Sequence, residues 1–196
     1  MYEYDRRLLV SHRFICSLLD LSREKGFWFT GSKAWDCVKW NYGNVLISRR
    51  AISEWFSRPE ISSYRFPAER LGGRRGSRAF VAEHVYPTRS LQALVLAKFS
   101  DKNPTEREIA DLLFRFNRIC YVWHEENEAL DRAGFRSSMP KSADEGDVHG
   151  RYREIGIDPV ETSFRNGPPL FKQLNKWRQE RVSPGVAISR LAASNS

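Results

Sequence analysis

A chain of 196 residues, 41% hydrophobic and 13% aromatic, can form one well-buried core, which argues against both wholesale disorder and two full domains. No run reaches the roughly 18 apolar residues of a membrane span, and three widely spaced cysteines without a C-x-x-C pair argue against disulfide frameworks and zinc knuckles. The first residues carry mixed charge rather than a targeting pattern, so we expect a cytoplasmic protein with no membrane contact.

Positive charge dominates the chain and is unevenly distributed. The net charge is +8 and the isoelectric point is near 9.6. Counting Lys and Arg against Asp and Glu gives +7 for residues 1–80, −3 for 81–147 and +4 for 148–196. Such a surface attracts a phosphate backbone because binding releases condensed counterions. We therefore expect nucleic acid, DNA or RNA, as the partner; the alternative is a basic surface that is only solvated.

Apolar side chains at helical spacing predict that most of the chain is helical, and β-branched or aromatic runs predict a few short strands. Thr105 and Glu108 have the spacing of a capping box, which makes the helix start there the clearest boundary. In chain order the predicted elements are a helix at 3–23, a strand at 27–30, helices at 32–41 and 48–56, a strand at 79–86, helices at 90–99 and 105–116, a strand at 118–123, a helix at 125–134, extended backbone at 152–158 and a helix at 168–182.

These elements predict an α+β fold, mostly helical, in a single globular domain over residues 1–182. The domain divides into a basic N-terminal part at 1–78, a core at 79–136, a flexible linker at 137–150 and a C-terminal helix at 168–182. The small residues of 183–196 predict a frayed tail.

Two arginine clusters are candidates for binding nucleic acid. Arg49 and Arg50 lie on the polar side of the predicted helix at 48–56, where they could face a major groove; plain amphipathic packing of this helix is an equal alternative. The glycines of 70–78 predict a mobile loop without regular structure, and this loop carries four further candidates. They are Arg70, Arg74, Arg75 and Arg78.

A carboxylate next to a histidine stands at the end of the predicted strand at 79–86, followed by Pro87. This segment, Glu83-His84-Val-Tyr-Pro87, resembles the first motif of HNH (ββα-metal) nucleases. The resemblance implies that Glu83 ligates Mg²⁺ or another divalent cation and that His84 is the catalytic base that activates water. Asn117 and His124 could supply the remaining metal ligands. The alternative is structural: His84 forms a hydrogen bond beside the strand and Glu83 pairs with a nearby arginine.

The functional expectation is therefore a basic nucleic-acid-binding protein that hydrolyses phosphodiester bonds as an HNH-like, metal-dependent nuclease. P-loop, G-x-S-x-G and H-E-x-x-H motifs do not occur, which argues against nucleotide-driven and serine-hydrolase activities. Three alternatives stay open. They are a non-catalytic DNA-binding regulator, a mobile-element interaction protein that inhibits a nucleic-acid-handling complex through a protein contact, and a metal-independent toxin acting on RNA.

Overall fold

The computed structural model describes residues 3–24, 43–59, 61, 70–71, 77–144 and 146–193. Over these ranges the chain forms eight α-helices and six short strands, which confirms the predicted, mostly helical α+β class. In chain order they are α1 (Glu3–Arg23), β1 (Leu46–Ser48), α2 (Arg49–Ser57), β2 (Arg70–Leu71), β3 (Ser77–Arg78), β4 (Phe80–His84), α3 (Thr88–Phe99), α4 (Glu106–Phe116), β5 (Ile119–Trp123), α5 (His124–Arg132), α6 (Gly150–Glu154), β6 (Pro159–Glu161), α7 (Gly167–Gln179) and α8 (Pro184–Ala193).

Four strands form a mixed sheet in the order β4-β5-β1-β6. The central strands β1 and β5 are parallel, and the edge strands β4 and β6 are antiparallel to their neighbours. Both central strands are buried almost throughout and pass directly into helices, β1 into α2 and β5 into α5. The carboxyl ends of β1 and β5 therefore lie side by side, each with a helix N-terminus above it.

Alternation along the strands separates two apolar layers. One layer contains Ile47, Tyr121 and Trp123 from the sheet and is covered by α2, α7 and α8. The other contains Cys120 and Val122 and is covered by α5 and α6. A third cluster, away from the sheet, joins α1, α3 and α4.

The locally specified elements match the predictions closely. Thr105 accepts a hydrogen bond from the Glu108 amide while the Glu108 carboxylate accepts one from the Thr105 amide, which is the predicted capping box. Ser48 caps α2 by accepting from the Ala51 amide at 3.0 Å. The predicted strands at 79–86 and 118–123 correspond to β4 and β5. The strand predicted at 27–30 and the helix predicted at 32–41 lie outside the described residues.

Three predictions of local structure are wrong. The expected frayed tail is instead helix α8, because Ala187 and Leu191, one turn apart, are buried in the layer beside α2 and α7. The backbone predicted to be extended from Tyr152 is helical up to Glu154, and Tyr152 is buried there. The segment 70–78, expected to lack regular structure, contains the paired strands β2 and β3.

The helices in the described ranges lack the combination of length and apolarity that a membrane-spanning segment requires.

Candidate functional site

Glu83 is held by a buried arginine. Arg151, in α6, has a solvent exposure of 0% and donates to Glu83 Oε1 at 2.8 Å, to the Phe135 carbonyl at 2.7 Å and to the Val85 carbonyl at 3.0 Å. Burial raises the pKa of Glu83, although the guanidinium opposes this shift. Because a guanidinium does not deprotonate in proteins, Arg151 needs the carboxylate as its counter-ion. The pair joins β4 to α6 on the face of the sheet that α6 covers.

His84 follows Glu83 in β4 but lies on the other face of the sheet. In the antiparallel register Glu83 is opposite Cys120, which belongs to the layer under α5 and α6. His84 is opposite Ile119, which packs against the layer under α2, α7 and α8. Neighbouring residues of a strand point to opposite faces, so the two side chains do not approach one site from the same side.

The other two predicted metal ligands lie at opposite ends of β5. Asn117, 1% exposed, caps the carboxyl end of α4 just before β5. His124 follows β5 and its amide donates to the Ala79 carbonyl, at the far end of β4. The register therefore separates His124 from Glu83 by four residues of strand, about 13 Å at the usual rise. His124 Nε2 is instead 3.8 Å from Glu125 Oε1.

The structure places these predicted residues at different points of the sheet. Glu83 is paired with Arg151, Asn117 is buried at the end of a helix, and His124 lies at the far end of β5. More broadly, the described part of the chain contains no group of three His, Cys, Asp or Glu side chains placed to hold a metal ion. Burial lowers the pKa of His149, and the positive charge of Arg118 adds to this shift.

The arginines of α2 are engaged by carboxylates. Arg49 Nε donates to Asp158 Oδ2 at 2.5 Å, and Arg50 Nη2 forms an ion pair with Glu125 Oε2. All four side chains are about half exposed. Arg50 Nε also lies 3.9 Å from Glu54 Oε1. Exposed pairs of this kind contribute little to stability, and a guanidinium has five N–H donors, more than these pairs use.

The arginine-rich segment forms a short ribbon. Strands β2 and β3 are antiparallel, and their register places Arg70 directly opposite Arg78. Arg74 and Arg75 lie in the connection 72–76, outside the described residues.

A surface that sequence reasoning missed lies on the last two helices. Residues 165–193 contain six Lys and Arg and one acidic residue, Glu180. We define the C-terminal cationic surface as Lys172, Lys176, Arg181 and Arg190 together with Trp177. The four cations are exposed, and in the described ranges the one ion pair among them joins Lys176 to Glu180 at 3.9 Å. The Arg190 guanidinium lies 5.7 Å from the Trp177 ring centre.

The remaining cationic side chain of α7 has a structural role. Arg178 donates to three carbonyls, those of Trp55 at 3.1 Å, Arg58 at 3.3 Å and Ile61 at 2.8 Å. Its guanidinium also lies over the Trp55 ring. It therefore fixes the C-terminal half of α7 against the end of α2. The signal for the surface was present in the sequence as the charge of +4 over residues 148–196.

One cysteine lies close to a histidine but is not arranged as a nucleophile. Cys16 Sγ is 3.6 Å from His12 Nε2, one turn apart on α1. The same nitrogen is 3.0 Å from the Pro104 carbonyl, a contact in which nitrogen must be the donor. Burial raises the pKa of the Cys16 thiol. A protonated thiol beside an imidazole nitrogen that is already donating lacks the base that nucleophilic catalysis needs.

No family model, no curated protein and no solved structure matches the chain.

Proposed function

We propose that this protein binds nucleic acid through the phosphate backbone. The observation that carries the proposal is the C-terminal cationic surface, which has four exposed cations and a half-buried tryptophan whose ring centre lies 5.7 Å from the Arg190 guanidinium. Phosphate groups bind lysine and arginine with release of counterions. A tryptophan among cations also offers a stacking platform for a base, which favours nucleic acid over an acidic protein as the partner.

Two further features support the same partner. The whole chain carries a net charge of +8, so any phosphate backbone is attracted before specific contacts form. Strands β2 and β3 form a two-stranded ribbon in which Arg70 and Arg78 are register partners. Two-stranded ribbons are among the elements that proteins place in the grooves of nucleic acids.

The test is fluorescence anisotropy with labelled single-stranded and duplex 20-mers at a series of NaCl concentrations. We expect log affinity to fall linearly with log salt, by about 0.9 per phosphate contact on duplex and about 0.7 on single strands. The double variant Lys172→Glu/Lys176→Glu should bind at least about tenfold more weakly at 0.1 M salt and show a shallower slope. Absence of salt-dependent binding by the parent protein would sink the proposal.

A matched control has the same change of charge elsewhere. Lys141 precedes α6 and Arg107 lies on α4; both are exposed, and both elements pack in clusters other than the one that holds α7 and α8. The variant Arg107→Glu/Lys141→Glu should keep most of the affinity. If both double variants lose affinity equally, binding reflects net charge and not the C-terminal cationic surface.

Metal-dependent hydrolysis at Glu83 and His84 stays a prediction that the same preparations test. A nuclease would degrade plasmid with Mg²⁺ or Mn²⁺, stop in chelator, and lose activity in His84→Ala with the fold retained. Binding without cleavage favours the regulator among the alternatives. An inhibitor of a nucleic-acid-handling complex would neither bind the oligonucleotides nor cut, and would co-purify with that complex.

A further inference from the structure

A cavity of about 530 Å³ lies at the carboxyl edge of the two parallel strands. Its walls are the first turn of α2, the length of α5 and the segment 155–158, which follows α6. This edge is where open sheets with parallel strands commonly bind ligands, because the strands end there and the chain turns away to either side. The volume is within the range of small-molecule sites, about 300 to 1,000 Å³.

Glu126 lines this cavity with one oxygen anchored and the other available. Glu126 is only 7% exposed to solvent. Oε2 accepts from Ser48 Oγ at 2.5 Å and from the Trp123 amide at 2.8 Å. Oε1 accepts no hydrogen bond from the described part of the chain. Burial raises the pKa of Glu126, and a carboxylate with a perturbed pKa in a cavity is typical of a binding or reaction site.

The cavity lining carries charge of both signs, with three arginines and the carboxylates of Glu125, Glu126, Glu128 and Asp158. Arg49, Arg50 and Arg132 contribute to its lining. Arg49 is paired with Asp158 and Arg132 with Glu128, the latter at 3.6 Å. Arg50 is paired with Glu125 and also lies 3.9 Å from Glu54. Because these pairs are exposed and occupy part of each guanidinium, an incoming phosphate can use the remaining N–H donors or displace the carboxylate at little cost.

Apolar side chains complete the wall. Ala129 of α5 and Ile155 and Ile157 after α6 line the cavity beside the charged groups. Gly156, between the two isoleucines, has φ +76°, a left-handed conformation that L side chains rarely adopt, and so the turn that presents them depends on glycine. A flat apolar group such as a base could pack against this wall.

We infer that this cavity binds a single nucleotide, with its phosphate at Arg49 and Arg50 and a hydroxyl or amino group donating to Glu126 Oε1. The inference rests on the proposed function, because the ligand is one unit of the proposed polymer. The nucleotide is either free or the terminal unit of a strand; both sources offer the same phosphate, hydroxyl and base. The site differs from the C-terminal cationic surface, which contacts a backbone without enclosing one unit.

The experiment follows ¹H–¹⁵N NMR shifts of the full chain during titration with adenosine 5′-monophosphate and, separately, with a short single strand carrying a 5′-phosphate. Saturable shifts at the Ser48, Glu126 and Gly156 amides with adenosine 5′-monophosphate mean that the cavity binds a free nucleotide. Shifts at these amides with the single strand alone mean that it binds the end of a chain. Absence of shifts at these amides with both ligands at millimolar concentration overturns the inference.

Variants separate the two halves of the ligand. Glu126→Gln retains an oxygen for Ser48 and the Trp123 amide but replaces the free acceptor by a donor, so nucleotide affinity should fall roughly tenfold. The weaker binding of inorganic phosphate should not change. Arg50→Gln, at an exposed position that does not support the core, should weaken both ligands. Glu106→Gln, an exposed glutamate on α4, is the control and should leave both unchanged.

Failure of this inference is distinguishable from failure of the proposed function. If the parent protein binds 20-mers with a salt slope but Glu126→Gln and the parent bind adenosine 5′-monophosphate equally, the cavity assignment is wrong and backbone binding stands. If the nucleotide binds at the cavity but no oligonucleotide binds, the proposed backbone binding is wrong and the cavity assignment stands. A Glu126→Gln variant that fails to fold leaves Arg50→Gln as the deciding variant, and unchanged nucleotide affinity there overturns the inference.

Discussion

Arginine has opposite roles in two regions of the molecule, the buried pair of Arg151 with Glu83 and the exposed C-terminal cationic surface. Arg151 has no solvent exposure, and its donors are taken by two carbonyls and Glu83. Arg181 and Arg190 are exposed, and within the described ranges neither forms an ion pair. A buried guanidinium must have its partners inside the protein. An exposed one keeps its donors for another molecule, so burial decides whether an arginine supports the fold or can bind a ligand.

The largest expected effect comes from breaking the buried pair. Glu83→Ala leaves Arg151 buried without its carboxylate, which should lower the free energy of unfolding by about 3 to 5 kcal/mol. Urea denaturation monitored by tryptophan fluorescence measures it. If the variant loses less than about 1 kcal/mol, water reaches Arg151 and the pair is not the support described here. The control is Glu154→Ala, which removes an exposed glutamate from α6, the helix of Arg151.

A smaller loss is expected from the helix that carries part of the cationic surface. Leu191 of α8 is buried in the layer under α2 and α7, so Leu191→Ala should cost about 2 to 4 kcal/mol through lost burial and a cavity. Differential scanning calorimetry gives the change in Tm. Val186→Ala, at an exposed position of α8, is the control. Equal, small effects of both substitutions would mean that α8 is not docked.

Acid should lower the free energy of unfolding by protonating Glu108, which is partly exposed and accepts a hydrogen bond from the Thr105 amide. The hydrogen bond from the Thr105 amide holds the pKa of Glu108 at about 2, below its ordinary value of 4.5. A lowered pKa in the folded state means that this stabilisation is present above pH 4.5 and is lost as the pH falls from 4.5 toward 2. The free energy of unfolding measured across this range should therefore fall more steeply for the parent than for Glu108→Gln. Parallel curves for the two proteins would contradict the assignment.

The smallest effect on stability belongs to the exposed pairs of α2. Asp158→Ala removes the carboxylate from Arg49, and both side chains are more than half exposed, so we expect a change within about 0.5 kcal/mol. Urea denaturation measures it beside Glu83→Ala. A loss approaching that of Glu83→Ala would show that exposure does not separate structural from available arginines in this molecule.

Local sequence patterns predicted much of the helical structure because their physics is local. The capping box at Thr105 and Glu108, the Ser48 cap and the apolar stripe of α4 each involve residues within one or two turns. The predictions failed where tertiary contacts outweighed local propensity. Residues 184–193 look like a small-residue tail, yet they form a helix because the layer formed by α2 and α7 buries Ala187 and Leu191.

The candidate sites were less predictable for the same reason. Glu83 and Arg151 are 68 residues apart, and Arg49 and Asp158 are 109 apart, so no spacing rule links them. Ser48 and Glu126, which meet at the cavity, come from different strand-to-helix junctions that are adjacent because β1 and β5 are parallel neighbours.

By itself, the amino-acid sequence determined the fold class, the start of α4, the apolar strand β5 and the surplus of positive charge, since all of these follow from composition or from contacts between near neighbours. Tertiary structure alone decided which charges face each other. Strand order and register placed a carboxylate against Arg151, Arg49 and Arg50 and left the cations of α7 and α8 exposed. The energy of an ionic group depends on its burial and its neighbours in space, and neither is written in the order of the residues.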